Sequence, residues 1–310
     1  MVDQHIKVTD VTARSSNGYN FIKGKVFSTE NPKFAIQFLH GMSEHMLRYT
    51  EFFEYLCKKL DCAVIAHDQC GHGASVFDKS EYGIFAARRG YKHVVNDTNG
   101  FLQQAKVHIP AVPVFLMGYD MGSLIARISA VQFSKNYAGL ILVGTSYKGF
   151  MTKLLLKMCK YEISLNSESF VSKKLYKKMS SGFNKKFEGR TEYDWLNSNE
   201  AELDKYLNDP ICNFTQSVSA VKDITNLRLS ANKDEWFKNM SNMPILILSG
   251  EDDPVCKFSA HTKVISDKLK ANGKDKVQII TYKNARHALL HETCKEKVYE
   301  DIADWLLKTI

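Results

Sequence analysis

Apolar and polar positions alternate along the chain in two distinct rhythms. Around Asn17-Gly18, two polar-flanked stretches, Ile6 to Thr12 and Tyr19 to Phe27, predict an opening hairpin. Compact apolar runs then appear at Phe34–Leu39, Ala63–Ala66, Pro113–Met117 and Gly139–Val143. Segments of helical period separate them: one buries Phe52, Phe53, Tyr55, Leu56 and Leu60, and another covers about Tyr91 to Val107. After Gly144 the rhythm changes. From about Ser146 to Asn242 the chain is rich in Lys, Asn and Ser, with amphipathic helical stretches and few strand-like runs. Alternation resumes at Pro244–Leu248, continues through a helix to about Lys270 and a strand at Val277–Thr281, and ends in a helix over Lys295–Lys308. Continuous apolar strands separated by helices predict a mostly parallel sheet covered on both faces. The expected organisation is an α/β core from 1–145 and 243–310, with 146–242 inserted as a helical lid above the C-terminal edge of the sheet.

Composition narrows the picture without changing it. The 310 residues are 44% hydrophobic and 25% charged, as in an ordinary globular protein. The start, Met1 to His5, carries no apolar core of signal-peptide length, and no run approaches the ~18 apolar residues of a spanning helix. Seven cysteines, odd in number and without a C-x-x-C pair, point to reduced thiols, a cytoplasmic setting and no zinc site. Net charge is +8, and its location matters more than its size. Between Lys148 and Arg190 there are eleven Lys/Arg against three Glu, as large an excess as that of the whole chain. This block reads as a solvated helix face with capacity for transient contact with a membrane surface. No nucleic-acid signature accompanies it, so nucleic acid is not an expected partner.

Chemistry concentrates where strands end, the place where open parallel sheets gather their sites. Gly118-Tyr119-Asp120-Met121-Gly122 follows one apolar strand and opens the helical segment Ser123–Arg127. Strand, G-x-Nuc-x-G, helix is the pattern of a nucleophile elbow, with Asp120 where serine ordinarily stands. His40-Gly41-Met42, Gly250-Glu251-Asp252-Asp253-Pro254-Val255 and Arg286-His287 follow three other strands. The order nucleophile, acid, histidine is that of an α/β-hydrolase. Asp253 is placed to fix the tautomer of His287, and the N–H groups of Met42 and Met121 to stabilise developing negative charge. Asp68 and His72 are expected to brace their loop, and Glu44 and His45 the oxyanion loop. His291 lacks a third ligand for a metal pair. No cofactor is implied.

The stretches His40-Gly41-Met42-Ser43-Glu44-His45 with Arg48-Tyr49, Gly71-His72-Gly73, the elbow, Gly250–Val255 and Arg286-His287 resemble the monoglyceride lipase and lysophospholipase group of the α/β-hydrolase superfamily, the serine aminopeptidase-like set. The resemblance runs from the third strand to the last helix. It implies Asp253 as triad acid, His287 as triad base, Met42 and Met121 as oxyanion donors, a lid shaping an apolar acyl site, and a small apolar or lipid-like substrate. Two positions depart from the pattern: Cys70, where arginine usually precedes Gly-His-Gly, and Asp120 itself.

Asp120 changes the expected reaction. A carboxylate attacking an ester carbonyl forms an anhydride that reverts, and it has no proton for His287 to remove. Loss of a triad nucleophile costs about 10⁶ in kcat. The expectation is an ester-hydrolase scaffold with impaired or altered turnover. The alternatives are an Asp-nucleophile hydrolase, working on epoxides in preference to haloalkanes, and a non-catalytic binder of apolar ligands. General-base activation of water by Asp120 is the least favoured route. For an epoxide, Tyr161, Tyr176 or Tyr193 of the insertion would be the proton donors, against the plainer reading of these tyrosines as packing residues.

Overall fold

The computed structural model describes residues 5–187 and 189–310. The stretch Met1–Gln4 and one acid of the basic block, Glu188, lie outside the described residues. Eight strands form one sheet in the order β1-β2-β4-β3-β5-β6-β7-β8. β1 (Lys7–Arg14) and β2 (Phe21–Ser28) make the antiparallel hairpin, with Lys7 opposite Ser28 and Arg14 opposite Phe21. β2 also pairs antiparallel with β4 (Ala63–His67), and all later pairings are parallel. Those strands are β3 (Ala35–Leu39), β5 (Val114–Tyr119), β6 (Gly139–Val143), β7 (Ile245–Gly250) and β8 (Val277–Tyr282).

Alternation along the buried strands feeds two cores. In β5, Phe115 and Met117 face a layer with α1 (Thr50–Leu60) and α10 (Lys295–Thr309), while Val114 and Leu116 face the other layer. That opposite layer holds α2 (Gly90–Ala105), α3 (Met121–Gln132) and α9 (Ala260–Ala271). One polar group sits mid-strand with its bonds satisfied. Gln37 donates to the Thr98 carbonyl at 2.7 Å and accepts from the Tyr137 hydroxyl at 3.0 Å.

Between β6 and β7 lie α4 (Phe150–Leu165), α5 (Lys173–Met179), α6 (Glu200–Asn208), α7 (Val218–Ala231) and α8 (Asp234–Asn239). They divide by packing. Ala220, Ile224, Leu227, Trp236 and Phe237 of α7 and α8 enter the same core as α2 and α3. Leu155 and Cys159 of α4 with Leu175 of α5 instead form a small separate cluster against Val218 and Val221 of α7. Among the described residues no helix is long and apolar enough to cross a membrane.

Candidate active site

The elbow is made by close approach of backbones. A Cβ on Gly118 would meet the Gly122 carbonyl oxygen at 2.3 Å, and one on Gly122 the Leu39 carbonyl oxygen at 2.1 Å. Only glycine lets the first turn of α3 sit against β3 and β5. Asp120 is thereby forced to φ 49° and ψ −116°, a sparsely populated conformation for a residue with a side chain. Its N–H donates to the Val143 carbonyl and its carbonyl accepts from the Ser123 N–H, both at 3.0 Å.

The loop after β3 is held by a buried carboxylate. Glu44 Oε1 accepts from the Gly41 N–H at 2.5 Å and the Tyr49 hydroxyl at 2.7 Å, while Oε2 pairs with Arg48. Burial raises the Glu44 carboxyl, opposed by Arg48 and Tyr49. His40 and His72 are buried, and burial pulls both below the usual imidazole range, so they serve as neutral braces. The Gln69 N–H donates to His40 Nε2 at 2.9 Å, and the Ser43 N–H to His72 Nε2 at 3.2 Å. Asp68 accepts from the N–H groups of Met46 and Ala74, each at 2.7 Å. His45, Asp209 and Cys212 draw together, His45 Nε2 lying 2.9 Å from Asp209 Oδ2, which ties this loop to the segment after α6.

These scaffolds bring Asp120, Asp253, His287, Met42 and Met121 to one place. The Met42 N–H donates to Asp120 Oδ2 at 3.0 Å. Asp120 Oδ1 lies 3.5 Å from His287 Nε2, and His287 Nδ1 donates to Asp253 Oδ2 at 2.8 Å. The other oxygen of Asp253 accepts from the Val255 N–H at 2.8 Å, which fixes the carboxylate plane. His287 therefore sits between two carboxylates. Burial alone would lower its pKa, but the Asp253 charge and the hydrogen bonds and charge of Asp120 raise it to about 10. Burial alone would raise Asp120. Its contact with His287 and the N–H groups of Met42 and Met121 prevail and hold it below the ordinary carboxylate value. At neutral pH the site is an imidazolium facing the Asp120 carboxylate, with Asp253 bonded on its other side.

Several supports carried no signal in the sequence. Gly144, at φ +61°, lies under the imidazole, and a Cβ there would meet His287 Cε1 at 2.8 Å. Trp195 and Tyr119 place their rings 5.6 and 5.2 Å from that of His287. Glu292 accepts from the N–H groups of Ser198 at 2.8 Å and Arg286 at 3.0 Å, joining the histidine loop to the chain before α6. Tyr176, Tyr193 and Tyr206 line the pocket beside Asp120. Tyr161 does not: it is 65% exposed on the outer face of α4, so the expectation that it could donate to a substrate is corrected by the helical phase. Cys70 is buried against Asn17, and burial pushes its thiol up to about 12, so it is no thiolate nucleophile.

A mostly parallel sheet with an elbow, an acid and a histidine after β5, β7 and β8 defines an α/β-hydrolase. The family model described as serine aminopeptidase, S33, matches residues 30–294, and the chain belongs to that family. It is 28% identical to the monoglyceride lipase of Rattus norvegicus over 295 residues, covering 89% of this chain and 82% of the relative. To the monoglyceride lipase of Homo sapiens it is 28% identical over 299 residues, covering 90% and 84%. Among solved structures, a thermostable carboxyl esterase from Bacillus coagulans, in complex with glycerol, superposes with a TM-score of 0.92. That match has 24% identity and covers 98% of this chain and 99% of the esterase.

Proposed function

We propose that this protein is a lipid-ester hydrolase scaffold that accepts a monoacylglycerol-like ligand while serine-type ester turnover is shut by Asp120. One observation carries the reading: Asp120 Oδ2 sits on the Met42 N–H while Oδ1 faces the imidazolium of His287. The donors that would hold an ester's developing oxyanion are engaged by a resident anion. The group that would act as base is already protonated and stays so until the pH nears 10. In this proposal Asp253 orients His287, Met42 and Met121 are the oxyanion donors, and α4–α6 form the cover over the pocket. Leu124, Met179, Leu203 and Ile224 give that pocket its apolar walls. Exposed Met151, Leu154 and Leu165 of α4 alternate with Lys153, Lys157 and Lys160, a face suited to transient contact with an anionic membrane surface.

A second reading is favoured by Tyr176 and Tyr193 lining the same pocket. Asp120 Oδ1 would attack an epoxide carbon, the C–O bond would break, and a tyrosine would protonate the leaving oxygen. Esterification removes the Asp120 charge that helps hold His287 protonated, so the imidazolium returns a proton to the tyrosinate and the neutral imidazole can take one from water. Attack of that water on the aspartyl ester returns the carboxylate, releases the diol and leaves His287 an imidazolium again. The two readings separate in one experiment. Monoacylglycerol is incubated with the protein, and bound lipid is recovered and weighed by mass spectrometry. In parallel, styrene oxide is turned over once in ¹⁸O-labelled water. Bound, intact lipid with no label in Asp120 supports the scaffold reading. Diol formation with ¹⁸O in Asp120 replaces it with the aspartyl-ester route.

A further inference from the structure

Arg228 faces the charge of Asp120 across the pocket without a hydrogen bond or ion pair to it. The side chain is half-buried, its Nε is enclosed without a hydrogen bond, and among the described residues its guanidinium makes neither a hydrogen bond nor a salt bridge. The deeply buried Arg127 of α3 also leaves its Nε unpaired, but carbonyl oxygens of Ser146 and Ala231 and the Asn232 side chain accept from its terminal nitrogens, and Trp236 stacks 4.3 Å from it. A half-buried guanidinium with no direct hydrogen-bond or ion-pair partner costs stability, so packing alone gives little reason to keep one.

Its location supplies the reason. Arg228 projects from α7 at a wall between two cavities, together with Met179, Phe183 and Val255. One cavity, about 80 Å³, contains Asp120 and His287. The other is larger, about 430 Å³. Lys178 and Lys257 also line the larger cavity, no carboxylate lines it among the described residues, and its histidine, His261, is pulled by burial to about 4 and is neutral. Met151, Leu155 and Met158 supply the apolar remainder. Lys257 is presented there by a run of three left-handed residues, Lys257, Phe258 and Ser259, at φ 49°, 54° and 65°. Such a run is strained for residues bearing side chains.

We propose that Arg228, with Lys178 and Lys257, forms an anion subsite next to the Asp120 pocket that takes the ionised head of an amphiphile, a phosphate monoester or a carboxylate on an acyl chain. The head sits among the three cations, and the chain passes Met179, Phe183 and Val255 into the apolar pocket. Two donors of the Arg228 fork match two oxygens of either head. This inference rests on the lipid-ligand reading above and adds a charge requirement that the reading lacks.

The test compares dodecyl phosphate, laurate and monolaurin, three ligands of one chain length, by competition against a solvatochromic fatty probe below their micellar concentrations. The unaltered protein, Arg228→Met and Arg228→Lys are each measured. At least one anionic ligand is expected to bind the unaltered protein 10-fold or more tighter than monolaurin. Arg228→Met should bring that ratio to about 1 without weakening monolaurin, and Arg228→Lys should restore part of it. Which anion is preferred identifies the head group. A thermal midpoint for Arg228→Met at or above that of the unaltered protein is expected, and a fall of 5 °C or more would assign the arginine to packing and overturn the subsite. Monolaurin binding with no anionic preference overturns the subsite and leaves the lipid reading standing. Binding of none of the three overturns both.

Discussion

Replacing Asp120 by asparagine removes one charge and little volume, and its effect should appear first on His287. The two groups are 3.5 Å apart. At an effective dielectric constant between about 20 and 40, an imidazolium and a carboxylate at that distance attract by about 2–5 kcal/mol, which is about 2–3.5 pKa units. The Asp120 side chain is 24% exposed, which favours the lower end. Asp253 remains at 2.8 Å in the variant and still supports the charged form. The His287 pKa should therefore fall from about 10 in the unaltered protein to about 8 in Asp120→Asn. The assay is a proton–carbon NMR titration of the imidazole Cε1–H signals from pH 5 to 11, with His287→Gln assigning the resonance among ten histidines. Titration of His287 near 6.5 in the unaltered protein, or a shift below about half a unit in the variant, would refute the reasoning.

The same pair makes stability depend on pH in a defined direction. The folded pKa of His287 is raised above its unfolded value of 6.5, so its contribution is complete below 6.5 and is lost as pH rises through about 10. Its ceiling is about 5 kcal/mol, and Asp120→Asn should be the less pH-sensitive protein between pH 7 and 10 when both are unfolded in urea; equal sensitivity would contradict the pairing. Glu44→Gln strands Arg48 and weakens the grip on Gly41, and urea unfolding should show a loss of about 3 kcal/mol, against less than 1 if the carboxylate were only decorative. Gly122→Ala should fail to yield folded protein, because its Cβ has the Leu39 carbonyl at 2.1 Å, whereas Gly100→Ala in α2, with nothing within 4 Å, should gain about 0.5–1 kcal/mol. Equal behaviour of the two glycines by circular dichroism would show that the elbow does not depend on close backbone approach.

Much of this arrangement is legible in the chain because its chemistry is local. Each strand of the parallel sheet is a short apolar run, and each of Met42, Asp120, Asp253 and His287 stands just after one. Period and order alone place those residues along one edge of the sheet. What depends on contacts between distant segments is not legible. The Lys-, Asn- and Ser-rich composition of 146–242 conceals that α7 and α8 bury Leu227, Trp236 and Phe237 in the core beside α3. It also cannot say that Tyr176 turns inward while Tyr161 turns outward, since helical phase is set by partners distant in sequence, such as Ser43 for Tyr176. Gly144 looks like a strand terminator until the ring of His287 is found above it. Arg228 reads as one more cation on a helix, and only its place on a wall shared by two cavities distinguishes it.

In the proposed function the Asp120 carboxylate fills the oxyanion site and holds His287 charged, so that an otherwise complete ester-hydrolase site is silent. That reading is tested most directly by kcat/KM for monolaurin and p-nitrophenyl butyrate, measured at pH 8 with the unaltered protein and with Asp120→Ser. Ester hydrolysis no faster than buffer in the unaltered protein, and at least about 10³-fold faster in the serine variant, is the predicted result. Hydrolysis by the unaltered protein at a rate matching or exceeding that of the serine variant would contradict the account.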